Sequence, residues 1–289
     1  MAASPLPRLG LGQLGPLVRS SALDATAEAA PRPRATLVPN AELAGHEEIA
    51  PDVARLFVRP DGPVPAFQPG QYFSLGLTLD ARAVLRPYST ASRKGSGETL
   101  EFLVRRVPSG TFTPRLWRLA VGERLWIGPP KGLFTLRPAD TRTHLLISAG
   151  TGIAPFISML PELVAGEPGS PRSARPRVVL AHGVSYQPEL AYRTRLEALT
   201  ARHPEFIYAP TVSRPDAPQN AGWSGRAGRV EGILPAIWAQ LALDPGDTVA
   251  YLCGNPDMVE SSRNTLLRLG MPAGAIVHEN YWAAPARPG

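Results

Sequence analysis

The rhythm of the chain changes once, near Pro138, and that change restricts the fold more than any other feature of the sequence. Before it, short β-type runs at 53–59, 71–77 and 100–107 are separated by proline and glycine clusters such as 59–63 and 94–97. Runs of that length and spacing make antiparallel hairpins that close into a small barrel. After it, apolar strand candidates at 143–148, 177–181, 206–212 and 248–252 alternate with helix candidates beginning near Ala154, Pro188, Arg229 and Pro256. A segment at 275–282 supplies a last strand, and 167–176 and 213–228 read as loops. Alternation of strand and helix predicts a parallel sheet covered on both faces. The expectation is therefore two domains: an antiparallel β-barrel over 36–138, then an α/β parallel-sheet domain over 139–282, with a short tail at 283–289.

Composition narrows what such a pair of domains holds. A chain of 289 residues is long enough for two hydrophobic cores, and no apolar run approaches the roughly 20 residues of a membrane span, so no span is expected. Cys253 is the single cysteine, which excludes an internal disulfide framework and an iron–sulfur cluster held by four thiolates. Any redox centre is then an organic cofactor, and no metal site is expected. The net charge of +6 favours acidic partners, although dispersed arginines also serve solubility. Residues 1–35 carry Arg8, Arg19, Arg32 and Arg34 against only Asp24 and Glu28, without a signal-peptide core. They read as a disordered extension of a cytoplasmic, monomeric protein, with no nucleic-acid partner expected.

Five stretches carry chemistry. Arg86-Pro-Tyr-Ser-Thr-Ala-Ser92 lies where a barrel strand runs out. An arginine neutralises a phosphate, a tyrosine lies flat on an aromatic ring and a hydroxyl bonds a ring nitrogen, which are the needs of a flavin nucleotide. The plainer reading is a strand end with a buried tyrosine. Gly110 to Thr113 precede a helix expected at 114–119, whose free N–H groups would make an anion site, while ordinary capping by Thr111 or Thr113 is the commoner reading. Ala149-Gly-Thr-Gly-Ile-Ala-Pro155 follows a strand and opens a helix; its glycines would let a pyrophosphate approach, or simply make a tight turn. Tyr251 to Met258 repeats that design with Gly254 in the turn and Asn255 or Asp257 at the next helix start, and Cys253 there is either a small buried hydrophobe or an edge residue. A final segment, His278 to Trp282, ends in a carboxylate and two aromatics.

The order of these pieces resembles the ferredoxin–NADP reductase family, and more closely its bacterial ferredoxin/flavodoxin reductase branch. The matching stretches are 86–89, 100–116, 150–155, 182–186 with 189–192, 211–214 and 253–258, and the resemblance spans 36–282. It implies FAD on the barrel and NADP(H) on the carboxyl edge of the second sheet, with a hydride passing between them and single electrons passing to ferredoxin or flavodoxin. By position, Arg86 and Pro87 hold the FAD phosphate region, Tyr88 packs on the isoalloxazine and Ser89 bonds its N5 side. Leu103, Thr111, Phe112 and Thr113 complete that site, with Tyr281 and Trp282 as its aromatic end. Thr151 lies between the cofactors, and Ser89, Cys253 and Glu279 border hydride transfer. NADP(H) falls to Gly150, Thr151, Gly152, Pro155, Val184 and Ser185, to Cys253, Gly254, Asn255 and Asp257, and to Ser213, Arg214 and Arg229 where the adenosine ribose is held. Two departures stand out: the chain continues past Trp282, and Ser185 stands where relatives commonly have an arginine. A reductase feeding an oxygenase, and a flavin-binding electron-transfer subunit without nicotinamide chemistry, are the alternatives.

Overall fold

The computed structural model describes residues 37–95, 97–165 and 176–281. The expected extension at 1–35, most of the loop at 167–176, Trp282 and the tail at 283–289 lie outside the described residues. The first half forms strands β1 (Ala41–Ala50), β2 (Val53–Pro60), β3 (Tyr72–Leu79), β4 (Arg82–Ser89), β5 (Leu100–Arg105) and β6 (Arg124–Ile127), ordered β4-β3-β6-β1-β2-β5 and antiparallel throughout. The two edges meet where Thr90 pairs with Phe102 and the Ala91 N–H donates to the Glu101 carbonyl at 2.8 Å, which closes the barrel. Its interior is filled by Leu43, Leu56, Leu75 and an edge-to-face series of Phe67, Phe73 and Phe102 with centroids 5.8 and 6.1 Å apart. The β3–β4 hairpin turns through Asp80 and Ala81, both at positive φ (49° and 59°), as a two-residue turn matched to strand twist demands.

β2, β3 and β5 fall where the sequence places them, but β1 and β6 were not expected. β1 reads Ala-Glu-Leu-Ala-Gly-His-Glu-Glu-Ile-Ala, poor in β-branched residues, and becomes a strand by pairing with β2 over nearly its whole length. β6 is only 4 residues, too short for a periodic signal. The helix expected at 114–119 is a five-residue turn, α1 (Thr113–Trp117).

The second half forms β7 (Thr143–Ala149), β8 (Val178–Val184), β9 (Phe206–Val212), β10 (Arg226–Ala227), β11 (Thr248–Gly254) and β12 (Ile276–Asn280), all parallel and ordered β10-β9-β8-β7-β11-β12. β8 and β11 are buried at every position, as strands covered on both faces must be. Helices α2 (Ala154–Ala165) and α3 (Arg193–Arg202) pack Phe156, Leu160 and Leu196 on one face, while α4 (Val230–Gln240) and α5 (Pro256–Arg268) pack Leu234, Ile237, Val259 and Leu266 on the other. The helix expected near Pro188 is corrected: Gln187–Glu189 make one 3-10 turn, and α3 starts at Arg193. From β7 the chain steps outward to β8 and β9, then crosses back to β11, so the order reverses between β7 and β11. Ligands bind open α/β sheets at the carboxyl edge of such a reversal.

The barrel and the parallel sheet share a core. Ala50, Val53, Ala91, Leu103 and Phe134 pack in one cluster with α2 and β11, and buried Ser158 donates to the Ser92 carbonyl at 2.6 Å. On the same seam Tyr192 donates its hydroxyl to Glu101 at 2.9 Å.

Candidate functional site at the strand reversal

The carboxyl ends of β7, β8, β9 and β11 open a cleft of about 360 Å³. Gly150 and Thr151 line it after β7, Val184 and Ser185 after β8, Ser213 and Arg214 after β9, Arg229 ahead of α4, and Gly254 and Asn255 after β11. Gly150 holds φ at +54°, where a side chain is strained, and the nearest atom to its Cβ position is Arg105 Nη2 at 3.9 Å. The Asn255 side chain caps α5 by accepting from the Met258 N–H at 3.0 Å. Arg214 is pre-positioned: it donates to the Tyr186 hydroxyl at 2.5 Å and lies 5.4 Å over that ring.

Four residues predicted for this ligand do not line the cleft. A Cβ on Gly152 would stand 2.2 Å from the Cys253 carbonyl oxygen, so this glycine permits contact between the β7 and β11 turns rather than access for a phosphate. Pro155 is buried in the first turn of α2, Cys253 is fully buried beneath the edge and Asp257 is exposed on the outer side of α5. Conversely, Arg105, Glu189 and Glu231 line the cleft without having been singled out. Both Arg105 and Glu189 lay inside matched stretches, 100–116 and 189–192, without being singled out there.

At the mouth of the cleft the two domains bring four predicted residues together. Ser89, 3% exposed at the end of β4, donates its hydroxyl to Glu279 Oε2 at 3.3 Å from the end of β12. Burial pushes the Glu279 carboxyl up from the ordinary carboxylate range, with the Ser89 hydroxyl opposing. Tyr281 donates its backbone N–H to the Gly254 carbonyl at 2.7 Å, and its hydroxyl is buried close to Ser89 and Cys253 without hydrogen-bond geometry to either. Burial likewise pushes the Cys253 thiol and the Tyr281 hydroxyl up, so both are neutral here.

Behind this point, Arg86 and Tyr88 sit on one face of β4, separated by Pro87. The Tyr88 ring is backed by Phe112, stacked at 6.3 Å and 29°. Arg86 donates to the Leu85 carbonyl at 2.8 Å and forms no ion pair among the described residues. Leu103 packs in the shared core and Phe112 in the barrel core, so the Phe112 side chain serves as a support. Thr113 does not cap α1: its hydroxyl accepts from the Val107 N–H at 2.9 Å, and Thr111 is exposed. A second cleft, about 780 Å³, lies between 59–67 and 92–100 and contains none of the predicted site residues.

Residues 40–136 match the model of the oxidoreductase FAD-binding domain, and residues 146–264 that of the oxidoreductase NAD-binding domain. Ferredoxin–NADP reductase B of Sorangium cellulosum is 32% identical over 246 residues, which cover 83% of this chain and 96% of that protein. The chain belongs to the ferredoxin–NADP reductase family. A crystal structure of the ferredoxin NADP+ reductase from Neisseria gonorrhoeae with bound FAD and NADP superposes with a TM-score of 0.70 at 26% identity, over 83% of this chain and 97% of that one. The family also reaches oxygenase systems: the toluate 1,2-dioxygenase electron transfer component of Pseudomonas putida is 32% identical over 222 residues, 76% of this chain and 60% of that protein.

The family thus assigns FAD to the barrel domain and a nicotinamide dinucleotide to the parallel-sheet domain, and the residues described above fit both. The Arg86 guanidinium, with no ion pair among the described residues and one donor on the Leu85 carbonyl, lies beside a braced Tyr88 ring and suits a phosphate and a flat ring system. Close to Ser89, the buried Tyr281 hydroxyl lacks a hydrogen-bond partner, which is costly unless a polar ligand completes it.

Proposed function

We propose that the chain is an FAD-dependent ferredoxin/flavodoxin–NADP reductase, moving a hydride between NADP(H) and flavin and single electrons between flavin and a carrier protein. The observation that carries this is the Ser89–Glu279 contact, which joins the end of the flavin-domain strand β4 to the edge of the dinucleotide sheet beside the cleft. When bound, FAD supplies the redox chemistry by accepting a hydride and releasing electrons singly. The chain's own share is alignment and exclusion of water. Arg86, with Thr111 to Thr113 nearby, holds phosphate; Tyr88, braced by Phe112, sets a plane; Ser89 and Glu279 hold one exchangeable proton between them; Thr151 and Tyr281 bound the space between the two ligands.

A carrier as the electron partner is supported by the surface next to this point. Leu133 is 96% exposed, and it follows Lys131 and Gly132 in a turn whose Gly132 Cβ position stands 3.7 Å from Glu279 Oε1. Gln71 donates to the Gly132 carbonyl at 3.2 Å, which ties this turn to the barrel beside β3. An exposed leucine beside a lysine, next to the redox centre, suits an acidic carrier. A reductase component of an oxygenase is the second reading, favoured by the toluate dioxygenase relative at equal identity, and it differs in the acceptor. Anaerobic addition of NADPH or NADH to the purified yellow protein, followed by ferredoxin, flavodoxin or an oxygenase component, separates these. A flavin that neither nucleotide bleaches would mean a binding subunit without nicotinamide chemistry.

NADPH is expected to be preferred over NADH. Ser185, Ser213, Arg214 and Arg229 gather at the adenosine end of the cleft, and forked arginines suit a 2′-phosphate. Glu231 lines the same cleft and repels that phosphate, and both arginines are exposed, so the preference is expected at about 10- to 100-fold rather than more. The ratio of kcat/KM for the two nucleotides, in wild type and in Arg214→Ala and Arg229→Ala, measures it; equal ratios in all three would remove the assignment.

A further inference from the structure

The run 214–222 that follows β9 is exposed along most of its length, yet Asn220 within it is 2% exposed. This residue closes a 3-10 turn, Pro218–Asn220, and it does not line the dinucleotide cleft. Its whole amide is engaged. Oδ1 accepts from the Gln187 N–H at 2.6 Å, and Nδ2 donates to the Ser185 carbonyl at 3.0 Å and to the Arg214 carbonyl at 2.8 Å. A side-chain amide carries two N–H donors, so both are committed. Ser185 and Gln187 flank Tyr186, whose ring lies 5.4 Å from the Arg214 guanidinium and whose hydroxyl accepts from Arg214 Nη1 at 2.5 Å. One amide therefore grips the backbone on either side of the tyrosine and the backbone of the arginine stacked on it. Glu189 shapes the same turn from within: its Oε1 accepts from Arg105 Nη2 at 2.9 Å, and its Oε2 accepts from the Ser185 and Tyr186 N–H groups at 3.0 and 3.3 Å. Asn220 adds the tie from that turn to the loop after β9.

We infer that Asn220 is the positioning residue for dinucleotide selectivity: by joining the β8 turn to the β9 loop it keeps Arg214 stacked on Tyr186 at the adenosine end of the cleft, and so sets the preference for NADPH. The inference rests on the 2′-phosphate reading of that end and extends it to the residue that builds it. Arg214 is exposed and rides on a loop. An unrestrained arginine there would lose side-chain and backbone freedom on meeting a phosphate. A guanidinium already stacked and hydrogen-bonded, on a loop already fixed, gives up less, and the difference is felt only by a ligand that carries the 2′-phosphate. The backbone does little of this work. Ser213 donates its N–H to the Val184 carbonyl at 2.8 Å, but the next bonds, from Ala217 to the Arg214 carbonyl and from Asn220 to the Ala217 carbonyl, stay within the loop. Gln187 reinforces the tie from the other side, its Nε2 donating to the Gln219 and Ala221 carbonyls at 3.4 and 3.0 Å.

Steady-state kinetics of the FAD-loaded protein with NADPH and NADH and a small neutral acceptor, together with inhibition by adenosine 2′,5′-bisphosphate, test it. Asn220→Ala is expected to lower the NADPH to NADH ratio of kcat/KM by about 5- to 20-fold. The loss should lie in KM for NADPH, with kcat and the values for NADH little changed, and the inhibition constant of adenosine 2′,5′-bisphosphate should rise by a similar factor. The double variant with Arg214→Ala is expected to match Arg214→Ala alone, since one residue acts through the other. Gln187→Ala, which removes the second tie, should shift the ratio in the same direction by less, and it carries the test if Asn220→Ala does not fold. A lowered denaturation midpoint with an unchanged ratio would reduce Asn220 to a structural tie and overturn the inference, as would equal losses for the two nucleotides or additive effects in the double variant. Wild type without an NADPH preference overturns the 2′-phosphate reading itself, a different failure from a preference that survives in Asn220→Ala.

Discussion

Glu279 is held where its ionisation is costly, and the hydroxyl it touches takes its direction from that charge. Ionised, Glu279 accepts the Ser89 proton at 3.3 Å; protonated, it carries its own and leaves the Ser89 hydroxyl free to donate to a ligand. A donor aimed at a group gaining negative charge lowers the barrier, so flavin reduction is expected to be faster at low pH and to slow as pH rises through the Glu279 pKa, which burial raises. Single-turnover absorbance against pH measures this; Glu279→Gln flattens the step. Ser89→Ala retains FAD, because Arg86 and Tyr88 are untouched, and slows reduction by about 10- to 100-fold. An unchanged rate in Ser89→Ala would show that the hydroxyl does not face the reacting edge. Both residues were legible in the sequence as ends of two motifs, but their contact was not, since 190 positions separate them. Glu189 and Arg105 were missed for a related reason: an ion pair across a domain seam leaves no local pattern in either segment.

At the scale of elements, legibility followed periodicity. β7, β8, β9 and β11 are apolar runs buried on both faces, and the sequence locates them closely; β1, with three glutamates, takes its conformation from its neighbours. The glycine turn after β7 was recognised, but its two glycines proved to have different duties. Gly150 needs a positive φ, whereas Gly152 needs the absence of a Cβ. Their alanine variants are therefore expected to differ. In Gly150→Ala the backbone cost is about 1–2 kcal/mol with no clash, since the nearest atom is a flexible Arg105 nitrogen at 3.9 Å. In Gly152→Ala the new Cβ would meet a backbone oxygen at 2.2 Å, forcing β7 and β11 turns apart at about 3 kcal/mol or more. Urea unfolding distinguishes them: the midpoint should fall further for Gly152→Ala, and equal midpoints would mean that the two turns do not pack as described.

Over the whole molecule the site is a product of the seam, where a barrel edge, a sheet edge and a surface turn converge. Ser158 on Ser92, Tyr192 on Glu101 and Arg105 on Glu189 each tie one domain to the other. No composition argument locates such ties, just as the net charge of +6 did not say which face meets a partner. The structure offers Lys131 two residues before the exposed Leu133, in the turn that approaches Glu279. Charges attract an acidic carrier over distance, and this attraction is screened beyond about 8 Å at physiological ionic strength, while an apolar contact is insensitive to salt. Carrier reduction is accordingly expected to weaken as salt rises, and reduction of a small neutral acceptor by the same protein to change much less. Lys131→Glu should lower the second-order rate with the carrier and flatten its salt dependence, whereas Leu133→Ala should lower the rate and leave the salt dependence as it was. Initial rates across a salt series, with both acceptors and both variants, measure this. Equal salt sensitivity for the two acceptors would move the charge effect to the dinucleotide cleft, and wild-type rates in both variants would place the carrier on another face.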